Sequence, residues 1–249
     1  MIDAPPWMSD LRPLDATYRD RPAPHRMLPS PACSLPGDTP TDSRRAVALG
    51  LRHRCSLCGC AMPADSPVYN VAYGLDNSYA GTPESLLCEY PGGLFTSPDP
   101  GPMHRSCAVY STLVCPFMKY ETSRHRIPEY KGGTRGEAGI FGFRQYGVAF
   151  FTEPVNRGLG ATTLRAWGYL DPVERAPFAS WKETLPLYGG ALADDAKVID
   201  TSTRWDWSDS PAHERHLKEI ARHDEAQLRL LRMRAMRCVN GYWYRLAML

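Results

Sequence analysis

The sequence predicts an α+β fold with a small antiparallel sheet and a long C-terminal helix. Three observations carry this. Val68–Tyr73 and the segments 140–151 and 164–169 are rich in β-branched and aromatic residues, as strands are. Ser210-Pro211 opens a helical stripe of Leu217, Ile220, Ala221, Leu228 and Leu231. Between these regions and the N-terminus, Cys55 and Cys58 are three apart, as are His104 and Cys107, so the chain carries two correctly spaced pairs of soft ligands.

Composition sets the limits. At 249 residues the chain can build a self-sufficient core. Its 23 prolines, nearly twice ordinary usage of about 5%, predict short elements and many loops. A net charge of +2 gives no global attraction to nucleic acid, so any basic surface has to be local. No apolar run of about 18 residues predicts a membrane span, and no membrane partner is expected. Met1-Ile2-Asp3-Ala4-Pro5-Pro6 lacks a basic segment followed by an apolar one, so no signal peptide is expected and a cytoplasmic setting is the default. In a reducing compartment, 8 cysteines suggest metal ligands or free thiols before disulfides.

Residues 1–46 hold nine of the prolines and form the first expected unit, a Pro-rich arm. Trp7, Leu11, Leu14, Tyr18 and Met27 suggest that it wraps the domain, with disorder as the alternative. Cys33 within it reads as a free thiol. A short helix is expected over 41–51, with Thr41 as cap and Gly50 as terminator. The second unit, 47–135, contains both ligand pairs. Gly59 suits the positive φ of a metal knuckle. Residues 74–101 read as a long loop, with a short strand near Leu86-Leu87-Cys88. A helix is expected over 103–119, bringing His104 and Cys107 onto one face and ending near Cys115 because Pro116 follows. The third unit, 136–249, holds the sheet and the last helix. Asp171 followed by Pro172 reads as a helix start, and 181–188 as a helical piece limited by Pro186. Helix periodicity with abundant arginine runs from Pro211 to Arg237, Asn240-Gly241 stops it, and Tyr242-Trp243-Tyr244-Arg245-Leu246 reads as a strand or docked tail.

The metal hypothesis needs Cys55, Cys58, His104 and Cys107 in one place. Two ligands from a knuckle and two from the first turn of a helix make a treble-clef-like zinc module. The helix N-terminus would place partial positive charge beside the Cys107 thiolate. Four protein ligands close the coordination sphere, which marks one structural Zn2+ rather than a catalytic one. Cys60, Cys88 or Cys115 could replace a ligand, and a second metal or an iron–sulfur cluster could use the remainder. Glu89, Asp99 and Glu121 flank the pairs without the spacing of a catalytic base. His53 and His125 read as packed or solvated side chains.

Lys119, Arg124, Arg126, Lys131 and Arg135, interleaved with Tyr120 and Tyr130, could contact phosphate backbones. Glu121, Glu129 and Glu137 favour the simpler reading, a solvated loop with ion pairs. The arginines of the last helix suit either an acidic partner or the helix dipole. Trp205-Asp206-Trp207 could serve binding but reads first as a packed loop. No P-loop, dinucleotide fingerprint or Gly-x-Ser-x-Gly elbow occurs, so no dinucleotide cofactor is expected.

Residues 55–118 resemble a group of uncharacterised actinobacterial and bacteriophage proteins. The matching residues are Cys55-Ser56-Leu57-Cys58-Gly59, then Pro102-Met103-His104-Arg105-Ser106-Cys107-Ala108-Val109-Tyr110, then Cys115-Pro116-Phe117. The resemblance implies a metal-binding module in a cytoplasmic or phage-encoded protein, in the latter case acting in the host cytoplasm. It implies no established activity. The resulting expectation is a structural-zinc binding or interaction protein without catalytic activity. The alternative is a nucleic-acid-binding protein or diverged His-Asn-His-like nuclease using 119–135 and 211–237.

Overall fold

The computed structural model describes residues 2–8, 43–73, 92–96, 101–115, 118–122, 135–153, 162–207, 210–233, 237–239 and 242–248. The architecture is mixed helix and sheet. Strands are β1 (Val68–Tyr73), β2 (Leu94–Thr96), β3 (Ala138–Glu153), β4 (Thr162–Phe178), β5 (Arg237–Val239) and β6 (Tyr242–Met248). Helices are α1 (Ser43–Gly50), α2 (Arg105–Val114), α3 (Trp181–Asp195) and α4 (Pro211–Met233). No helix among the described residues is long and apolar enough to cross a membrane.

One antiparallel sheet carries the fold, in the order β2-β4-β3-β6-β5. β3 and β4 pair along their whole length. The opposite edge of β3 is shared: β1 pairs with its first part, Ala138–Phe143, and β6 with 147–152. At Gly142/Phe143 the register shifts, because Gly142 faces Glu174 and Phe143 faces Pro172, leaving Val173 over. Such a bulge bends and twists the strand. Asp171 beside it takes a φ of 55°. This corrects the expected helix start at Asp171-Pro172: both residues lie within β4, whose pairing with β3 outweighs the local capping signal.

Tyr146, Trp167, Tyr169 and Phe143 form the core on the sheet, with ring centroids 5.4 to 6.3 Å apart. All four are almost fully buried, and each large apolar side chain so placed contributes on the order of 1.5–3 kcal/mol. Tyr146 donates to the Gly50 carbonyl at 2.7 Å, joining this layer to the end of α1. Ala46, Ala48 and Leu49 of α1 pack with Trp207 and with Leu217 of α4 in a second cluster. α4 turns Leu217, Asp224 and Leu228 inward, positions that share one helical face. Asp224 is gripped by both terminal nitrogens of Arg52, at 2.6 and 3.0 Å.

Several boundaries differ from the sequence reading. α3 runs through Pro186 to Asp195. The Glu183 carboxylate caps its start by accepting from Ser180 N–H, and Tyr188 and Ala191 beyond the proline are buried. One lost backbone bond is thereby outweighed. Arg237 lies in β5 rather than in the last helix, and the segment from Tyr242 is strand β6. β2 lies within the segment 74–101 that the sequence reads as loop, while the expected strand near Cys88, Thr41, Cys33 and the Asn240-Gly241 stop lie outside the described residues. The part of the arm that is described, residues 2–8, packs on the domain with Trp7 and Met8 buried.

Candidate metal centre

The first ligand pair sits on a tight backbone loop. Cys55 N–H donates to Cys60 O at 2.9 Å, and Gly59 N–H donates to Cys55 O at 2.8 Å. Gly59 takes a φ of 75°, which a residue with a Cβ adopts only under strain. The second pair begins α2. His104 is its N-cap residue, with extended backbone, and Cys107 lies in the first turn. The helix is therefore shorter than expected at its start, because Met103 is committed to the sheet: it exchanges two backbone hydrogen bonds with Tyr69 of β1, at 2.8 and 2.9 Å. At its end Cys115 is extended, as the residue before a proline is forced to be.

Ser56 brings the pairs together. Its N–H donates to Pro102 O at 2.9 Å, and its hydroxyl to Gly101 O at 3.1 Å. As a result the ligand atoms of Cys55, Cys58, His104 and Cys107 all lie within 4.8 Å of one another, and all four residues are buried. His104 is only 4% exposed and the three cysteines 0%.

The spacing of Cys58 and His104 is the one a tetrahedral ion sets. With metal–sulfur and metal–nitrogen bonds of about 2.3 and 2.05 Å, tetrahedral angles put a sulfur and a nitrogen about 3.5 Å apart. Cys58 Sγ and His104 Nδ1 stand 3.4 Å apart. The other ring nitrogen, His104 Nε2, lies 3.1 Å from the Ala61 carbonyl. A carbonyl only accepts, so Nε2 carries a proton, and in the neutral imidazole this leaves the Nδ1 lone pair facing Cys58 Sγ. That is the tautomer a metal ligand needs.

The electrostatics agree. Burial pushes the Cys58 and Cys107 thiols well above their ordinary value; Cys107 and Cys55 raise Cys58 further, and Cys55 raises Cys107. Burial also works against ionising Cys55, but Cys107, Cys58 and His104 together hold it well below the usual thiol range. Burial disfavours a charged His104, yet the Cys55 thiolate raises its pKa. Of the three ligand thiols only Cys55 is favoured as a thiolate, and a dication is the group that would let the other two ionise.

The surrounding residues were not legible in the sequence. Asp195, at the end of α3, accepts from both the backbone N–H (2.7 Å) and the hydroxyl of Ser106, capping α2 from another helix. Arg105, between the ligands, binds Glu174 of β4 through Nε at 2.9 Å and Nη2 at 2.8 Å. The Tyr69 hydroxyl donates to the same carboxylate. Cys60 is buried beside the cluster, its thiol directed at Cys58 O (3.9 Å), but it is not among the four converging ligands. Cys115 is half-buried and also apart from them. Cys88 lies outside the described residues. His53 packs edge-on to Tyr146, with centroids 5.2 Å apart, and burial lowers its pKa.

Of the possible phosphate contacts, Lys119 and Arg135 lie among the described residues. Lys119 is 6% exposed and lies over the Trp181 ring; Arg135 is 2% exposed and lies over Phe178. Arg135 spends two nitrogens on the carbonyls of Tyr120 and Ala179. Beside them is a hollow lined by Glu121, Glu137 and Glu183, whose charge is opposite to that of a phosphate site. Arg124, Arg126, Lys131 and His125 lie outside the described residues. Trp205 and Trp207 meet edge to face, with Arg52 and Arg54 over the Trp205 ring, as in a packed loop. Comparison of the chain with family models, curated proteins and solved structures found no match.

Proposed function

We propose that Cys55, Cys58, His104 and Cys107 hold one structural Zn2+ in a treble-clef-like module, and that the protein acts through binding rather than catalysis. The observation that carries this is the complete burial of four converging soft ligands. A catalytic zinc keeps a position for water or substrate, whereas a structural zinc is closed by protein. Three thiolates and a neutral imidazole are the donor set zinc takes in such sites, and the ion would supply the folding energy of the knuckle and of the start of α2. The sequence motif of residues 55–118, read as similar to that of uncharacterised actinobacterial and phage proteins, implies the same kind of module.

The test is metal content and stability. The purified full chain should carry about one zinc per molecule by elemental analysis. Cys58→Ser should lose it and unfold at lower temperature, because structural zinc is folding energy. A metal-free wild-type chain with an unchanged melting transition on zinc addition would refute the reading.

A further inference from the structure

The outer side of α4 carries more positive charge than its packing or its dipole calls for. The inner face is fixed: Leu217, Asp224 and Leu228 are buried, Arg52 grips Asp224, and α1 and Trp207 cover Leu217. Arg215, Lys218, Arg222 and Arg229 are all exposed. At about 100° per residue they fall within ~60° of the helix circumference, clear of the buried face. With a rise of ~1.5 Å per residue they form a stripe about 21 Å long.

The acids of the helix do not neutralise this stripe. Asp224 is spent on Arg52. Glu214 binds Arg44 of α1 at 3.1 Å and stands 3.6 Å from Lys218. Glu225 reaches Arg229 only at 3.9 Å. Glu219 follows Arg215 by four residues, the less favourable order for a helical ion pair. Among the described residues neither Arg215 nor Arg222 has an acid within ion-pair distance. Lys218 stands three residues after Arg215 and four before Arg222, so like charges stack on one face, which destabilises a helix. The dipole gives no compensation there. It favours cations in the last turn, whereas Arg215 lies near the first turn and Lys218 and Arg222 in the middle.

We infer that this stripe is a nucleic-acid contact surface, which binds the phosphate backbone independently of sequence. A row of cations on an anchored helix matches a stiff polymer whose charges repeat at fixed intervals. Three of the four are arginines, whose planar fork takes two phosphate oxygens at once. No amide or aromatic side chain stands among them to read a base edge. An anionic membrane fits less well, because the apolar face that would enter it is turned against α1. The stripe shares no residue with the metal centre, so the zinc reading stands or falls separately.

The test is fluorescence anisotropy of the full chain with a labelled DNA duplex and an RNA duplex of two unrelated sequences each, across a salt series. Four phosphate contacts predict a log–log slope of about −3 to −4, so affinity should fall roughly a hundredfold between 50 and 200 mM salt. Both sequences of a duplex should bind alike. The double variant Arg215→Gln and Arg222→Gln should reduce the slope by about 2, while its thermal melt stays that of wild type because both side chains are exposed. The double variant Arg215→Lys and Arg222→Lys keeps the charges and should keep the slope. Absence of binding to either duplex at 50 mM salt, or a slope that the glutamine variant leaves unchanged, would overturn the assignment. Tighter binding to polyglutamate or to phosphatidylserine vesicles than to either duplex would also overturn it, in favour of an acidic protein or a membrane surface.

Discussion

Replacing Asp195 tests whether a residue outside the ligand set holds the metal centre in place. Its Oδ2 accepts from Ser106 N–H at 2.7 Å and from the Ser106 hydroxyl, and Asp195 is 9% exposed. Ser106 is the second residue of α2, so its N–H is one of the donors that no helix carbonyl can satisfy. Asp195→Ala removes two hydrogen bonds to a charged acceptor, each contributing about 1.5–3 kcal/mol. It also removes a negative charge from the positive end of a helix, a further ~0.3–1 kcal/mol. Part of this is regained because a carboxylate no longer has to be buried. The expected net loss is about 3 kcal/mol. For a chain of this size that lowers the melting temperature by roughly 6–12 °C. Asp195→Asn keeps an acceptor oxygen and loses the charge, so about 1 kcal/mol is expected. Urea unfolding followed by far-ultraviolet circular dichroism, in excess zinc, measures both. Metal affinity should fall in the same order, since His104 and Cys107 flank Ser106. The reasoning fails if the alanine variant loses less than about 0.5 kcal/mol, or if asparagine is as damaging as alanine.

The same substitution, glycine to alanine, should have opposite signs at two helical positions. A Cβ on Gly50 would stand 2.3 and 2.4 Å from two Trp167 ring carbons, so Gly50→Ala should destabilise by about 1–3 kcal/mol. A Cβ on Gly190 meets nothing within 4 Å, so Gly190→Ala should stabilise α3 by up to about 1 kcal/mol. Thermal melts of the two variants decide; a shared sign would contradict the packing described around Trp167. Arg135→Ala should cost about 2–3 kcal/mol in urea unfolding, because the carbonyls of Tyr120 and Ala179 lose their donors. A stability unchanged from wild type would mean that Arg135 is a surface cation after all.

Local signals were readable in the sequence, and their outcomes show where such signals suffice. Val68–Tyr73 is a strand with the bounds its composition suggests. The Ser210-Pro211 start and the Pro116 stop are in place, because each is imposed by the backbone of one or two residues. The four ligand positions were also legible, since metal geometry restricts spacing more tightly than packing does. What sequence could not give was long-range. Asp171-Pro172 carries a helix-start signal, but fifteen register pairs between β3 and β4 hold it in a strand. Pro186 signals a stop, but buried Tyr188 and Ala191 carry α3 onward. Lys119 and Arg135 look like solvated charges until the fold sets their charged groups over the Trp181 and Phe178 rings. Asp195 lies 89 residues from the Ser106 groups it binds, with no motif to link them.

The shared edge of β3 has a consequence for the order in which the chain can assemble. All four metal ligands have been synthesised once Cys107 has left the ribosome, and β1 finds its partner as soon as residues 138–143 follow. The remaining edge, 147–152, stays open until β6 arrives about a hundred residues later, and α1 likewise waits for α4. A nascent chain can therefore bring the four candidate metal ligands together while half of a sheet edge is still unpaired. An unpaired edge is a template for other chains, and partly folded intermediates of larger proteins aggregate through such surfaces. Chains that stop before Tyr242 should consequently retain the metal and yet self-associate.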